Sequence, residues 1–142
     1  MIEPPRHSVS VAGIILDEQG RVLAVRRRDN GHWQPPGGVL ELDETMPDGL
    51  RREVLEETTL VVEPERLTGV YKHMQLGVVA LVFRCRIVSG TPAPTDESAE
   101  VRWLTLDEVA AFMTSAFAIR VTDALADGPT TRAHDGINVL SR

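Results

Sequence analysis

The chain has 142 residues, of which 42% are hydrophobic and 25% are charged, and its formal net charge at pH 7 is −6. This length predicts a single domain, residues 1–142, with a substantial core. The acidic balance argues against a nucleic-acid polymer or an anionic membrane as the main partner, and no stretch reaches transmembrane length. A small phosphorylated ligand remains compatible with this charge, because a metal ion can screen it.

The cysteine content and the first residues indicate a compartment. Cys85, the only cysteine, cannot form an internal disulfide and lies in an apolar run, so we expect a buried thiol in a reducing environment. Residues 1–6 lack the apolar segment of a signal peptide. We therefore expect a cytoplasmic protein.

Two strands open the chain. Residues 8–16 are rich in Val and Ile, and after a polar turn with glycine residues 22–25 return as a second strand. Three consecutive arginines follow. Such a run is usually exposed at a strand end, but here it approaches a Pro-Gly-Gly turn, so we regard its members as candidates for contact with phosphate. These candidates are Arg26, Arg27 and Arg28.

Residues 33–60 are the most informative stretch. They begin with the Pro-Gly-Gly turn and continue as one amphipathic helix. Thr45 and Asp48 have the spacing of a capping box at the helix start. Leu50 and Val54, four residues apart, mark the face that is turned to the core.

Three glutamates lie on another side of this helix. Glu53, Glu56 and Glu57 have i, i+3 and i+4 spacing, and each like-charge pair opposes the helix by roughly a few tenths of a kcal/mol. They also lie in the last turn, where the helix dipole prefers cations. A bound divalent cation would explain the cluster, and hard oxygen ligands suit Mg²⁺ or Mn²⁺. From the glutamates alone, a solvated helix end or an acidic protein-binding helix remains an alternative.

A longer pattern surrounds these glutamates. Its fixed positions are Gly38, Glu44, Arg52, Glu53, Val54, Glu56, Glu57 and Leu60. Their spacing resembles the signature of the Nudix hydrolases, G-x5-E-x7-R-E-U-x-E-E-x-G-U, in which U is apolar. Thr59 departs from it, because it stands where the family has its second glycine. A β-branched residue in the left-handed conformation usual there costs about 1 kcal/mol, so we expect a reshaped helix end.

The resemblance implies a role for the matched residues. In Nudix enzymes, the glutamates that match Glu53, Glu56 and Glu57 hold divalent metal ions, joined by the backbone carbonyl of the glycine that matches Gly38. Residues that match Glu44 and Arg52 brace the loop against the helix. Gly37 and Gly38 are expected to let the main chain bend and approach the ligand. The general base in this family is either a signature glutamate or one from a later loop. The candidates here are Glu53, Glu97 and, as a weaker third, Glu100.

The remaining chain alternates between strands and helices. We predict strands at residues 60–62, 66–71, 75–88 and 100–104, and helices at 105–113 and 118–126. Residues 127–142, which contain two glycines and a proline, are expected to form an irregular, mobile tail. Such an order fits an α/β fold with a mixed sheet between helices. The resemblance implies the same fold, an α/β/α sandwich.

The implied function is metal-dependent hydrolysis of a pyrophosphate bond in a nucleoside diphosphate linked to another moiety, with water attacking phosphorus. Nucleoside triphosphates and nucleotide sugars such as ADP-ribose both remain open, because specificity in this family lies outside the signature. We expect a small nucleotide as partner and leave a homodimer open. The alternative is a catalytically silent nucleotide sensor on the same fold, typically marked by loss of the glutamates, all three of which are present here.

Overall fold

The computed structural model describes residues 2–140 and contains helices on both sides of a mixed sheet. The strands are β1 (Ser8–Ile15), β2 (Val22–Arg27), β3 (Trp33–Gln34), β4 (Gly37–Val39), β5 (Val61–His73), β6 (Val78–Ser89), β7 (Ser98–Leu104), β8 (Thr130–His134) and β9 (Val139–Leu140). The helices are α1 (Met46–Thr58), α2 (Leu106–Phe112) and α3 (Ser115–Ala124). None of the helices within residues 2–140 has the length and apolar character needed to cross a membrane.

The strands form two sheets. The larger has six strands in the order β4-β1-β6-β5-β8-β9, and the smaller has three in the order β3-β2-β7. In the larger sheet β1 pairs in parallel with β6, and β5 pairs in parallel with β8, whereas the other pairs are antiparallel. The predicted mixed sheet is therefore confirmed, and the smaller sheet is an addition to the predicted fold.

Hydrophobic clusters on the two faces of the sheet hold the helices in place. Successive residues of a strand point to opposite faces, and β1 shows this clearly. Val11 packs in one cluster with Leu50 and Val54 of α1, and Ile14 packs in the other with Val121 of α3. All five side chains are fully buried, and the arrangement confirms the predicted sandwich.

Capping side chains fix where two helices begin. The Thr45 hydroxyl accepts a hydrogen bond from the backbone N–H of Asp48 at the start of α1. A complete capping box begins α2, because Thr105 and Glu108 each accept a hydrogen bond from the other's backbone N–H. Both helix starts agree with the sequence prediction.

The end of α1 differs from the prediction. Thr59 adopts the left-handed conformation itself, with φ of 67°, and its N–H donates to the carbonyl of Leu55. Its hydroxyl also donates to the carbonyl of Thr91 at 2.7 Å. The helix end is therefore not reshaped. Threonine occupies the usual position for glycine, and its side-chain hydrogen bond offsets part of the strain.

The Pro-Gly-Gly segment is also different from the expected turn. Gly37–Val39 is extended and pairs with β1 as an edge strand, with Gly37 opposite Ala12 and Gly38 opposite Val11. A Cβ atom at Gly37 would overlap the backbone of Val11 and Ala12. Glycine is needed here for close packing of two strands and not for a bend.

Two further predictions require correction. The extended segments predicted at 60–62 and 66–71 are one strand, β5, whose register shifts around Pro64. The irregular tail predicted at 127–142 is wrong for the described residues, because β8 extends the sheet beside β5 and β9 pairs with β8. Residues 141–142 lie outside the described part. Strand β8 was not predicted because its residues are mostly polar. It joins the sheet through backbone hydrogen bonds to β5, so its sequence shows no alternation of apolar residues.

Candidate active site

Three carboxylates converge near the end of α1. Glu53 and Glu56 project from the helix, Glu97 lies in the loop before β7, and one oxygen from each lies within 4.8 Å of the others. Glu56 and Glu97 are exposed, whereas Glu53 is partly buried. This arrangement joins two signature glutamates to the glutamate predicted from a later loop.

Hydrogen bonds to the helix end hold the Glu97 loop in position. The Thr95 hydroxyl donates to the backbone carbonyl of Glu56 at 2.6 Å, and the Ser98 hydroxyl donates to that of Glu57 at 2.8 Å. Both carbonyls belong to the last turn of α1, where no helical N–H is left to pair with them. The loop thus caps the helix, and this capping places Glu97 beside the other two carboxylates.

Arg52 links the helix to the loop that precedes it. Its guanidinium donates to both oxygens of Glu44, at 2.6 and 2.8 Å, and to the backbone carbonyl of Val39 at 3.2 Å. It also reaches Glu53 at 3.0 Å and Glu56 at 3.3 Å. The hydrogen bonds from Arg52 lower the pKa of Glu44 to about 2. Arg52 therefore stays paired and fixes two carboxylates of the cluster.

Glu57 occupies a different position from the exposed carboxylates. Its side chain is only 8% exposed, and it accepts a hydrogen bond from the backbone N–H of Gly37 at 2.7 Å. Burial raises the pKa of Glu57 to about 8, against the opposing effects of this hydrogen bond and of Arg27. In the absence of a cation, this carboxyl group therefore favours its protonated form near neutral pH.

Gly38 allows the Glu53 carboxylate to lie against β4. A Cβ atom at Gly38 would come within 2.5 Å of a carboxylate oxygen of Glu53. Burial raises the pKa of Glu53, and Arg52 opposes that rise. Gly49 has a similar packing role, because a Cβ atom there would meet Leu40 at 2.5 Å. These glycines bring the loop close to the helix.

The structure separates the three consecutive arginines. Arg26 faces Glu100 across the small sheet at 3.5 Å, and Arg28 donates to the carbonyl of Thr95 at 2.9 Å. Arg27 forms an ion pair with Asp29 and lines a cavity whose wall includes Gly37 and Gly38. Arg27 is thus the member of the run that lies beside this cavity.

That cavity has a volume of about 260 Å³ and lies between β1, β4, β6 and α3. At one end it is lined by Gly37 and Gly38, and farther along by Phe117, Arg120 and His134. Arg120 is not among the predicted site residues. His134 falls within the supposed mobile tail, yet it is only 4% exposed. No local signal identifies either residue, because the cavity forms only when α3 and β8 pack on the sheet.

The donor set fits a hard divalent cation. Clustered carboxylate oxygens are the ligands that Mg²⁺ and Mn²⁺ prefer. A cation there would relieve the repulsion among Glu53, Glu56 and Glu97, which Arg52 relieves only in part. The buried Glu57 would also ionise more readily next to positive charge.

The fold is an α/β/α sandwich, and the acidic end of α1 lies beside the glycine strand, β4. This combination is typical of the phosphorus-anhydride hydrolases that the signature indicated. The NUDIX domain model matches residues 6–125, and the chain belongs to the Nudix family. It is thus a hydrolase that acts on phosphorus-containing anhydrides, which favours the enzyme over the silent sensor.

Individual relatives agree with this assignment. The chain is 55% identical over 138 residues to a MutT-like protein from Streptomyces ambofaciens, covering 96% of this chain and 90% of that protein. It is 29% identical over 109 residues to an ADP-ribose pyrophosphatase from Methanocaldococcus jannaschii, covering 72% and 64%. The crystal structure of a MutT protein from Methanosarcina mazei Go1 superposes with a TM-score of 0.72 at 28% identity, covering 86% and 94%.

Proposed function

We propose that the protein hydrolyses a pyrophosphate bond in a nucleoside diphosphate linked to another moiety and releases two phosphorylated products. The observation that carries this proposal is the convergence of Glu53, Glu56 and Glu97 within 4.8 Å, beside Gly38 and a cavity. Pyrophosphate hydrolysis needs a positive centre near the bridging phosphates, an acceptor for the proton of water and room for the rest of the substrate.

The expected cofactor is Mg²⁺ or Mn²⁺, held by Glu53, Glu56 and Glu57 with the backbone carbonyl of Gly38. When bound, the cation screens the phosphate oxygens and makes a coordinated water more acidic. Glu57 would change from a protonated carboxyl group to an ionised ligand, and its hydrogen bond from Gly37 favours the ionised form. Metal binding would then release protons near neutral pH.

For the general base we favour Glu97. Its side chain is exposed and has no ion pair among residues 2–140, so its carboxylate can accept a proton from water. Glu53 is a weaker candidate because it is partly buried and bonded to Arg52. Glu100 faces Arg26 across the small sheet and lies outside the carboxylate cluster.

Arg52 and Glu44 would act by positioning. Their paired hydrogen bonds fix the guanidinium, which in turn orients Glu53 and Glu56 toward the cluster. Arginine suits this role because its planar group can bind several carboxylates at fixed angles. Neither residue needs to touch the substrate.

On the substrate side, we assign phosphate contact to Arg27 and to the glycine strand at Gly37. Arg27 lines the cavity next to Gly37 and Gly38. All three arginines have a partner: Arg26 faces Glu100, Arg28 donates to Thr95, and Arg27 pairs with Asp29. Arg27 is favoured because it is the one of the three that lines this cavity. The cytoplasmic location and a homodimer remain predictions.

The experiment that tests this function is an incubation with Mg²⁺ and a panel of nucleoside di- and triphosphates and nucleotide sugars, with products identified by phosphorus NMR. We expect the wild-type protein to split at least one compound at its pyrophosphate bond. Excess EDTA should stop this hydrolysis. Glu57→Gln should lose at least about a hundredfold in rate while keeping its fold. Glu18→Gln, in an exposed turn, is the matched control. Binding of panel members without turnover would contradict the proposal.

A further inference from the structure

Arg120 on α3 is a buried cation that has no anionic partner among residues 2–140. Its side chain is 6% exposed, and its Nε atom is buried without a hydrogen-bond partner. Asp123, one turn along the helix, accepts hydrogen bonds from the Tyr71 hydroxyl at 2.7 Å and from Nε and Nη2 of Arg132, each at 2.8 Å. Burial lowers the pKa of Arg120 to about 10, which leaves it charged at neutral pH. A buried guanidinium with unpaired N–H groups is costly, and a ligand that supplies acceptor atoms would reduce that cost.

The polar group next to Arg120 is another donor. The Nη2 atom of Arg120 lies 3.5 Å from Nε2 of His134. The Nδ1 atom of His134 accepts a hydrogen bond from the backbone N–H of Gly136 at 3.0 Å, so in the neutral ring the proton must be on Nε2. Burial, together with Arg120, lowers the pKa of His134 to about 4, and the ring is neutral at pH 7. Two N–H donors therefore lie side by side, and the described part of the chain, residues 2–140, places no acceptor between them.

Aromatic rings determine how Arg120 can be approached. Its Cζ atom lies 4.9 Å from the ring centre of Tyr71 and 4.5 Å from that of Phe117. Cation–π contacts of this kind use the faces of the guanidinium and leave its in-plane N–H groups to bind a ligand. An occupant would thus meet the edge of Arg120.

Both donors line the cavity that begins at the glycine strand. Its walls are otherwise largely apolar and include Ala12, Val78 and Ala80. Apolar walls with a few fixed polar groups are typical of a pocket for a flat organic group. The volume of about 260 Å³ is too small for a whole dinucleotide and suits one end of a nucleotide.

We propose that Arg120 and His134 select the base of the substrate by donating to two adjacent acceptor atoms, O6 and N7 of a 6-oxopurine. Arginine reads guanine through these same two acceptors in nucleic acids. Adenine offers N7 but carries an amino donor at position 6, which would face a second donor. This proposal rests on the proposed function, because the cavity would hold the base of the nucleotide whose phosphates reach the carboxylates.

Binding of mononucleotides tests the proposal without any need for turnover. By titration calorimetry with wild type, we expect GMP and IMP to bind at least about tenfold more tightly than AMP. IMP and AMP share N7 and differ along one edge, in the group at position 6 and in the proton on N1, so their ratio tests the contact with that edge. The 7-deaza analogue of GMP should lose affinity, because it lacks the N7 acceptor.

Variants test the assignment to Arg120. Arg120→Met should bring the GMP and AMP affinities within about threefold of each other. Arg120→Lys keeps the charge but not the planar pair of donors, and it should also lose the preference. Arg86→Met, at an exposed arginine on β6, should keep it. Circular dichroism checks the fold of each variant, and the wild-type comparison of IMP with AMP stands even if Arg120→Met fails to fold.

Each result decides the proposal independently of the hydrolase activity. Equal affinity for IMP and AMP in wild type, no binding of GMP, or an unchanged preference in a folded Arg120→Met variant would overturn it. Displacement of GMP by equimolar inorganic phosphate would also overturn it and point to an anion site. Selective binding without turnover of any pyrophosphate would instead contradict only the proposed function.

Discussion

The carboxylate of Glu57 accepts a hydrogen bond from the backbone N–H of Gly37, with 2.7 Å between the two atoms. This contact joins the last turn of α1 to the edge strand β4, over a separation of 20 residues in the sequence. It explains how the carboxylate-bearing face of α1 is held against the glycine strand. It also places an ionisable group where water is largely excluded.

Stability of the metal-free protein should depend on Glu57. Its pKa is about 8 in the folded state, above the ordinary value of 4.5. Between these values the folded state holds a proton that the unfolded chain has released, so the free energy of unfolding falls as the pH rises. We expect a fall of up to about 1.4 kcal/mol per pH unit between roughly pH 6.5 and 8, measured by urea unfolding in EDTA.

Glu57→Gln is the matched comparison for this slope, because glutamine keeps an acceptor for the N–H of Gly37 but cannot titrate. His134 is neutral in the folded state, because its pKa is lowered to about 4, and its unfolded ring loses a proton around pH 6.5, which raises the free energy of unfolding with pH. This contribution is the same in both proteins and cancels in the comparison. The variant should lose the slope. An identical pH dependence in both proteins would show that Glu57 is ionised when folded.

The side-chain hydrogen bond of Thr59 should offset most of the strain of its left-handed conformation. Thr59→Ala removes the bond to the carbonyl of Thr91 but keeps a Cβ atom at φ of 67°, so we expect a loss of about 1 kcal/mol. Thr59→Gly removes both the bond and the strain, and its stability should lie within about 0.5 kcal/mol of wild type. Chemical denaturation of the three proteins measures the difference. A glycine variant less stable than the alanine variant would refute this account.

Replacement of Arg52 should weaken the metal site. Lysine cannot reach both oxygens of Glu44 and the cluster at once, so Arg52→Lys should raise the Mg²⁺ concentration for half-maximal rate about 10- to 100-fold. Arg51→Lys is the control, because Arg51 pairs with Asp48 and Glu63 on the surface. Equal effects of the two substitutions would argue against a specific positioning role.

Glu97 should matter for the chemical step and little for folding. Its side chain is exposed, and its loop is held by Thr95 and Ser98 instead. Glu97→Gln should lower kcat by about 10²- to 10⁴-fold with a Tm close to that of wild type. Glu100→Gln, three residues later and facing Arg26, should retain most activity. If Glu100→Gln instead loses more kcat than Glu97→Gln, the base has been misassigned.

Much of the fold could be predicted from the sequence because its signals are local. Thr45 and Thr105 stand at helix starts, and Leu50 and Val54 mark a buried face by their spacing alone. The family signature also predicted that Gly38 lies near the glutamates of α1. Secondary-structure propensities carry no information about that contact. The confirmed elements are therefore those set by capping, periodicity or a fixed motif.

The errors concern contacts between distant segments. Strand β8 joins the sheet through backbone pairing with β5, and the sequence of the tail carries no sign of that edge. By its sequence, Arg120 resembles an ordinary surface arginine, yet the packing of α3 on the sheet buries it in the wall of a cavity. Thr59 keeps a glycine conformation because of a carbonyl 32 residues away. Each depends on tertiary packing, which the local sequence does not encode.

The most direct test is the hydrolysis rate as a function of free Mg²⁺ for wild type and Glu56→Gln, using whichever panel compound wild type turns over. Glu56 is exposed and contributes to the cluster, so its replacement should leave the fold intact. We predict a saturable dependence in wild type, no turnover in EDTA, and at least a tenfold loss of apparent Mg²⁺ affinity in Glu56→Gln. Full activity in EDTA, or identical Mg²⁺ curves for the two proteins, would contradict a metal site at this helix end.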